Sequence, residues 1–289
     1  MLDLILAQAA NGLVLGFLYV LLAVGLSVIF GLLGIVNFAH GAFFALGAYL
    51  AVTFQSWFGW PGVLLAPVAV GLVGLLAEVT LIRRLYGREP LMVIVLTFAL
   101  ALFIEAMIRV IWGAGSHPFA VPKLLQGFVE WGPILMTRYR VAVAATTILL
   151  LVLLWLLLVH TGFGRILRAG SRDPEMVSLL GINLPLVLTG AFGLGCVLAG
   201  AAGVLAAPLW SVTPSMAAGA IMPAFVIVTI GGLGSYAGAI VAGLLVGLVT
   251  GLTVQFWPEA SSAAMYVLMA VVLLVRPRGL FGERWERFE

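Results

Sequence analysis

An all-α, polytopic bundle of transmembrane helices with eight to nine spans is the fold class this sequence predicts, and three observations predict it. Of its 289 residues, 64% are hydrophobic and only 9% charged, with a mean hydropathy of +1.24; a soluble domain has roughly 45–50% apolar and about 25% charged residues. So few polar groups cannot build a surface that faces water. The apolar residues fall in long continuous runs, unlike the alternating ten-residue segments of a membrane barrel. Glycine, at 35 residues, is abundant enough to let helix backbones approach closely. Residues 1–289 read as a single transmembrane domain.

Taken in order, the first run is Leu13–Val36. The preceding Met1–Asn11 lacks a basic n-region and a small-residue cleavage site, so it reads as retained, with room for a short interfacial helix. Further runs are Ala42–Phe58, Gly62–Ile82, Leu91–Trp112, Tyr139–Val159, Leu186–Ala207, Met216–Gly234, Tyr236–Phe256 and Ala260–Val275. A crossing takes about 20 residues, so about nine of them absorb the apolar content. The run Met216–Gly234 contains Pro223, which removes a backbone hydrogen bond; a broken or re-entrant element there would leave eight spans. Arginines cluster at Arg83, Arg84 and Arg88, at Arg165, Arg168 and Arg172, and at Arg276, Arg278, Arg284 and Arg287. Nine crossings that start outside put all three clusters on the cytoplasmic side, as the positive-inside rule requires. Lys123, Arg138 and Arg140, in or beside the outer loop Gly113–Arg138, run against it.

Chemistry of several kinds is excluded. Lys123 is the only lysine and stands outside any Gly-x-x-x-x-Gly-Lys-Ser/Thr pattern, so the chain binds no nucleotide phosphate through such a loop. His40, His117 and His160 are far apart without metal-ligand spacing, and Cys196 has no second thiol. The net charge of +3 is too small and scattered to suggest nucleic acid. The chain reads as no enzyme, with no cofactor of its own. Glu105 is the deep acidic candidate. It precedes Arg109 by four residues, the favourable orientation for an intramembrane i,i+4 ion pair; the other reading makes it the carboxylate of an ion-coupled secondary transporter. Glu78, about one turn from Arg83, reads as structural.

Three features remain. Within the cytoplasmic loop 160–185, Asp173 suits an N-cap, Pro174 the first helical position, Glu175 the positive end of the helix dipole and Gly181 the left-handed position after the end. Met176, Leu179 and Leu180 share one face of this helix of about two turns, which is too short to stand alone. Its apolar face must meet either a cytoplasmic motor protein or the lipid interface. Glycines spaced by four, Gly243-x-x-x-Gly247-x-x-x-Gly251, Gly12-x-x-x-Gly16 and Gly195-x-x-x-Ala199-x-x-x-Gly203, form smooth stripes for close helix crossing, within the chain or in a second subunit. Asn37-Phe38-Ala39-His40-Gly41 enters the second crossing from the inside, with Asn37 as a cap and His40 as an interfacial histidine. Asn37, His40 and the stretch Gly231, Gly232, Leu233, Gly234 and Ser235 point toward a translocation pathway or gate; the glycine stretch otherwise reads as a turn between two tightly packed helices.

Together these residues resemble the permease subunits of branched-chain amino acid ABC transporters, the H-type permease of the high-affinity leucine, isoleucine and valine system. The resemblance rests on Gly25-Leu26-x-x-Ile29-Phe30-Gly31, Asn37-Phe38-Ala39-His40-Gly41, Gly47-Ala48-Tyr49, the Arg168-Ala169 to Gly181-Ile182-Asn183 loop, Ala199-Gly200-x-x-Gly203-Val204-Leu205-x-x-Pro208, and Phe225 through Gly231-Gly232-Leu233-Gly234-Ser235-x-x-Gly238. It implies an ABC importer permease in the bacterial inner membrane, where the basic clusters put the N-terminus on the periplasmic and the C-terminus on the cytoplasmic side. It also implies a second, M-type permease subunit, two cytoplasmic ATP-binding subunits that hold ATP and Mg, and a periplasmic solute-binding protein. The coupling helix then lies in the Arg168–Gly181 loop, with Arg168, Asp173, Glu175, Met176, Leu179, Leu180 and Gly181 facing the ATPase. Arg168-Ala169-Gly170 stands where the family's loop usually opens Glu-Ala-Ala.

Overall fold

The computed structural model describes residues 2–132 and 134–282. Its α-helices are α1 (Leu2–Leu33), α2 (His40–Phe58), α3 (Leu65–Thr80), α4 (Pro90–Trp112), α5 (Arg138–His160), α6 (Gly162–Arg172), α7 (Pro174–Leu179), α8 (Leu184–Ala206), α9 (Met216–Gly231), α10 (Tyr236–Phe256) and α11 (Ser261–Val275). Among the described residues, eight helical segments are long and apolar enough to cross a membrane. A short antiparallel hairpin, β1 (Phe128–Trp131) with β2 (Ile134–Thr137), lies in the α4–α5 loop.

Helix α9 has 16 residues and stays helical through Pro223, so the break expected there is absent. Only the bond to the carbonyl four residues back is given up. Its two ends are held by different segments of the chain. Just ahead of its start, Val212 accepts a hydrogen bond from the backbone N–H of His117 in the α4–α5 loop; at its end, Ile230 and Gly231 accept from Leu280 and Phe281 at 2.8 and 3.0 Å. At 16 residues it is shorter than the eight apolar spans, and its first turns, Ala217 and Ile221, pack against Gly41 at the start of α2. Arg284 and Arg287 of the third basic cluster lie outside the described residues.

Helix α1 is 32 residues long and continuous; the separate interfacial helix expected before Leu13 is instead its first turns. Hydropathy misses the reason, which is packing. The two glycine stripes meet inside one chain, α1 against α10, and a β-carbon added at Gly12 would stand 2.6 Å from the Gly247 carbonyl oxygen. One at Gly16 would stand 3.0 Å from that of Gly243. Helix α8 sits at the centre, against α1, α2 and α3. Here too glycines set the spacing: Gly25 of α1 faces Gly195, Gly47 of α2 faces Gly200, and Gly74 of α3 faces the buried Cys196. Helix α11 has no buried residue and packs at the edge.

Candidate functional site: an inner cavity and two loop helices

Helix α1 ends at Leu33, yet α2 begins level with the middle of α1. His40 Nε2 lies 3.0 Å from the Leu22 carbonyl oxygen, about 16 Å of helix before Leu33. The chain climbs back through the non-helical stretch 34–39, which opens on Gly34 at φ 64°. Backbone at such depth needs partners within the protein. Asn37 Oδ1 accepts from the Ala39 N–H at 3.0 Å, and Thr97 Oγ1 of α4 accepts from the Phe38 N–H at 3.3 Å. The Phe38 ring is held between Phe98 and Phe225, with ring centroids at 6.2 and 4.9 Å. Two expectations are corrected. Ala39, not Asn37, occupies the cap position of α2, because the Asn37 side-chain oxygen is taken up by the Ala39 N–H, two residues on. His40 is fully buried within the bundle rather than interfacial, because the climbing linker carries it inward. Asn37 Nδ2, His40 Nδ1 and Ser27 Oγ are buried without a hydrogen-bond partner.

Beneath this linker lies a cavity of about 270 Å³, walled by residues 32–36, by 85–88 and Pro90, by Val93 and Ile94 of α4, and by Leu188 of α8. The turn Gly231–Ser235 adjoins it: Gly31, next to the wall residue Leu32, packs on Gly234. Positive φ values of 100° and 81° at Gly232 and Gly234 let this turn reverse between α9 and α10, and Ser235 caps α10 by accepting from the Gly238 N–H at 3.1 Å. The structure thus places Asn37 and His40 above the cavity and the glycine turn beside it, without putting the turn in its wall.

On the cavity's other side the Glu78 carboxylate is fully buried. Arg83 Nη2 lies 3.2 Å from Oε2, and the Tyr86 hydroxyl donates to Oε1 at 2.6 Å. Burial first, and then the bond to this carboxylate, push the Tyr86 phenol far above the ordinary tyrosine pKa. Arg83 also bonds Thr189 Oγ1 on α8, and Thr189 donates to the Pro185 carbonyl at 2.8 Å. Sequence spacing reveals the Glu78–Arg83 pair but not Tyr86 or Thr189; the available signal was a lone threonine in each of two apolar runs, Thr97 and Thr189.

The loop after α5 holds two helices where one was expected. Thr161 starts α6 by accepting from the Gly164 N–H at 3.1 Å. Leu167 of α6 is buried while Arg165 and Arg168 are exposed, and the Phe163 ring covers Gly190 of α8. Asp173 then caps α7, accepting from the Met176 N–H at 2.9 Å, and Glu175 lies in its first turn. Gly181 ends the unit at φ 77°, and Asn183 caps α8. Val177 turns inward; Met176, Leu179 and Leu180 are 54, 82 and 71% exposed. Replacing Asp173 with alanine is expected to cost about 1 kcal/mol of local stability. Amide hydrogen exchange should show it as roughly five-fold faster exchange confined to α7.

Glu105 Oε1 lies 2.6 Å from Arg109 Nη2 on the flank of α4, away from the cavity. His117 Nε2 lies 2.9 Å from the Trp112 carbonyl oxygen, and the His160 ring meets Trp155 edge-on, with centroids 5.2 Å apart. Among the described residues no group of three or more His, Cys, Asp or Glu could hold a metal ion.

The family described as branched-chain amino acid transport system, permease component, matches residues 8–275. The high-affinity branched-chain amino acid transport system permease proteins BraD of Pseudomonas aeruginosa and LivH of Escherichia coli are each 29% identical to the chain, over 96% of its length and 95% of theirs. A probable LivH of Methanocaldococcus jannaschii is also 29% identical, over 94% of this chain and 91% of its own. No solved structure matches.

Proposed function

This chain belongs to the permease-component family of branched-chain amino acid transport systems, and from that premise we propose that it is the H-type membrane subunit of an ATP-driven importer. Its cargo is leucine, isoleucine, valine or a related small solute, delivered by a periplasmic binding protein. An M-type permease completes the pathway, and two cytoplasmic subunits bind ATP and Mg and hydrolyse the nucleotide. The chain sits in the bacterial inner membrane with its N-terminus periplasmic and its C-terminus cytoplasmic, which puts the cavity on the cytoplasmic side.

The observation that carries this reading is the apolar face of α7. A six-residue helix capped at its start and closed by Gly181 presents Met176, Leu179 and Leu180 away from its own chain. Such a face fits a groove in a cytoplasmic partner. Arg168 and Glu175 supply the polar rim of that contact, and the α7 unit leads directly into α8, the central helix. Asn37 and His40 above the cavity, and Gly231, Gly232, Gly234 and Ser235 beside it, form the inner gate. Movement of α7 would tilt α8 and open the cavity to the cytoplasm, in the rocking manner of alternating access. Glu105 is ion-paired with Arg109 on α4, away from the cavity, which speaks against an ion-coupled mechanism through Glu105.

Purification from the native membrane tests the proposal. Stoichiometric ATP-binding chains are expected to copurify, with hydrolysis stimulated by a binding protein loaded with leucine, isoleucine or valine. A complex containing no nucleotide-binding chain would contradict it.

A further inference from the structure

We propose that Glu78, Arg83, Tyr86 and Thr189 form the joint that passes movement of α7 to the wall of the inner cavity. The inference rests on the importer reading above and goes beyond it by naming the positioning residues. Its starting point is a buried carboxylate with more partners than an anchoring role at the membrane surface requires. Glu78 is fully enclosed, and a charge in that setting is tolerated only when its oxygens are matched by donors. Arg83 and Tyr86 provide the donors.

The arrangement then reaches across the fold. Arg83 uses the same Nη2 nitrogen to bond Glu78 and Thr189. Thr189 Oγ1 accepts that bond and donates its own proton to the Pro185 carbonyl, in the first turn of α8. Helix α8 starts five residues after α7 ends, and its cap Asn183 lies between them. The first turns of α8 are therefore tied to the lower end of α3 by one guanidinium. At the far end of the joint, Tyr86 is itself part of the cavity wall, and so is Leu188, beside Thr189. A displacement of α7 that moves the start of α8 must either carry Arg83, Glu78 and Tyr86 with it or break the Arg83–Thr189 bond. The first outcome moves both walls of the cavity together, Tyr86 with Leu188, whereas the second moves Leu188 alone. The Tyr86 hydroxyl and the Thr189 hydroxyl are the two removable links, since each can be deleted without leaving Glu78 bare.

The test is the amount of solute moved per ATP in vesicles holding the complete complex, using radiolabelled leucine, for T189V, T189S and Y86F. T189V keeps the side-chain volume and loses the hydroxyl. It is expected to leave complex assembly and leucine-stimulated ATP hydrolysis within about two-fold of the parent, while leucine moved per ATP falls about ten-fold, the factor for one charge-assisted hydrogen bond present in only one of two conformers. T189S, which keeps the hydroxyl, should retain the parental ratio, and Y86F should fall in the same direction as T189V. A role confined to stability would lower assembly, hydrolysis and uptake together and leave their ratio unchanged. An unchanged ratio in T189V, with the parent complex coupled normally, overturns the joint alone. A parent complex with no ATP-hydrolysing chain overturns the importer reading, and the joint with it.

Discussion

Leucine in place of Gly247 is expected to abolish accumulation of folded protein in the membrane. Where α1 and α10 cross, both surfaces are backbone: a β-carbon at Gly247 would stand 2.5 Å from the Gly12 carbonyl oxygen, and one at Gly251 would stand 2.5 Å from the Gly12 Cα. No side chain is available to swing aside, so relief requires the two helices to separate along their length. Overpacking in a core that can relax costs about 1–3 kcal/mol, and a contact of backbone on backbone lies at or above the top of that range. Lipid supplies no hydrophobic force to hold the helices together once their close contact is lost. Gly247→Ala should already lower the melting temperature of the detergent-purified chain. Gly219 is the control, because a β-carbon there meets nothing within 4 Å. Gly219→Ala is expected to be neutral or to stabilise by up to about 1 kcal/mol. Equal melting temperatures for Gly247→Ala and Gly219→Ala would show that the stripe does not set the crossing.

The second large effect is expected at α7. Leu179→Asp together with Leu180→Asp should leave the chain's own folding intact, since both side chains are exposed and surface changes of this kind stay within about 0.5 kcal/mol. Binding of the ATP-hydrolysing partner should suffer instead. An apolar anchor buried in a partner's pocket is worth about 2 kcal/mol or more, so the pair should weaken association by roughly a thousand-fold. Pull-down from solubilised membranes should recover the permease free of nucleotide-binding chains, and uptake should fall to background. Full recovery of those chains with the double variant would place the contact elsewhere.

These two regions also mark how far local sequence carries. The α7 unit was legible in full because its code is local: Asp173, Pro174, Glu175 and Gly181 each act on backbone within a turn of themselves. The preceding α6 was not, since Gly162, Gly164 and Gly170 mask a helix whose signal is the inward Phe163 and Leu167 against the outward Arg165 and Arg168. The glycine stripes were legible as stripes, but their spacing does not say which helix lies opposite; the meeting of Gly12 and Gly16 with Gly243, Gly247 and Gly251 joins opposite ends of the chain. The depth of Asn37 and His40 was hidden for a different reason. Hydropathy registers that a segment is apolar and not how far it slides along its neighbours. The bonds that fix the linker, His40 to Leu22 and Phe38 to Thr97, span 18 and 59 positions. Thr189 stands 106 positions from Arg83, so only the Glu78–Arg83 part of that cluster could be read in advance.

Leucine uptake into sealed vesicles, compared with and without the copurifying ATP-hydrolysing chains, tests the central claim most directly. With those chains, the M-type permease, the binding protein on the periplasmic side and ATP on the cytoplasmic side, radiolabelled leucine should accumulate against its gradient. With this chain alone, accumulation should be absent under ATP and under an imposed proton gradient alike. Uphill accumulation by the chain alone, driven by the proton gradient, would contradict the account.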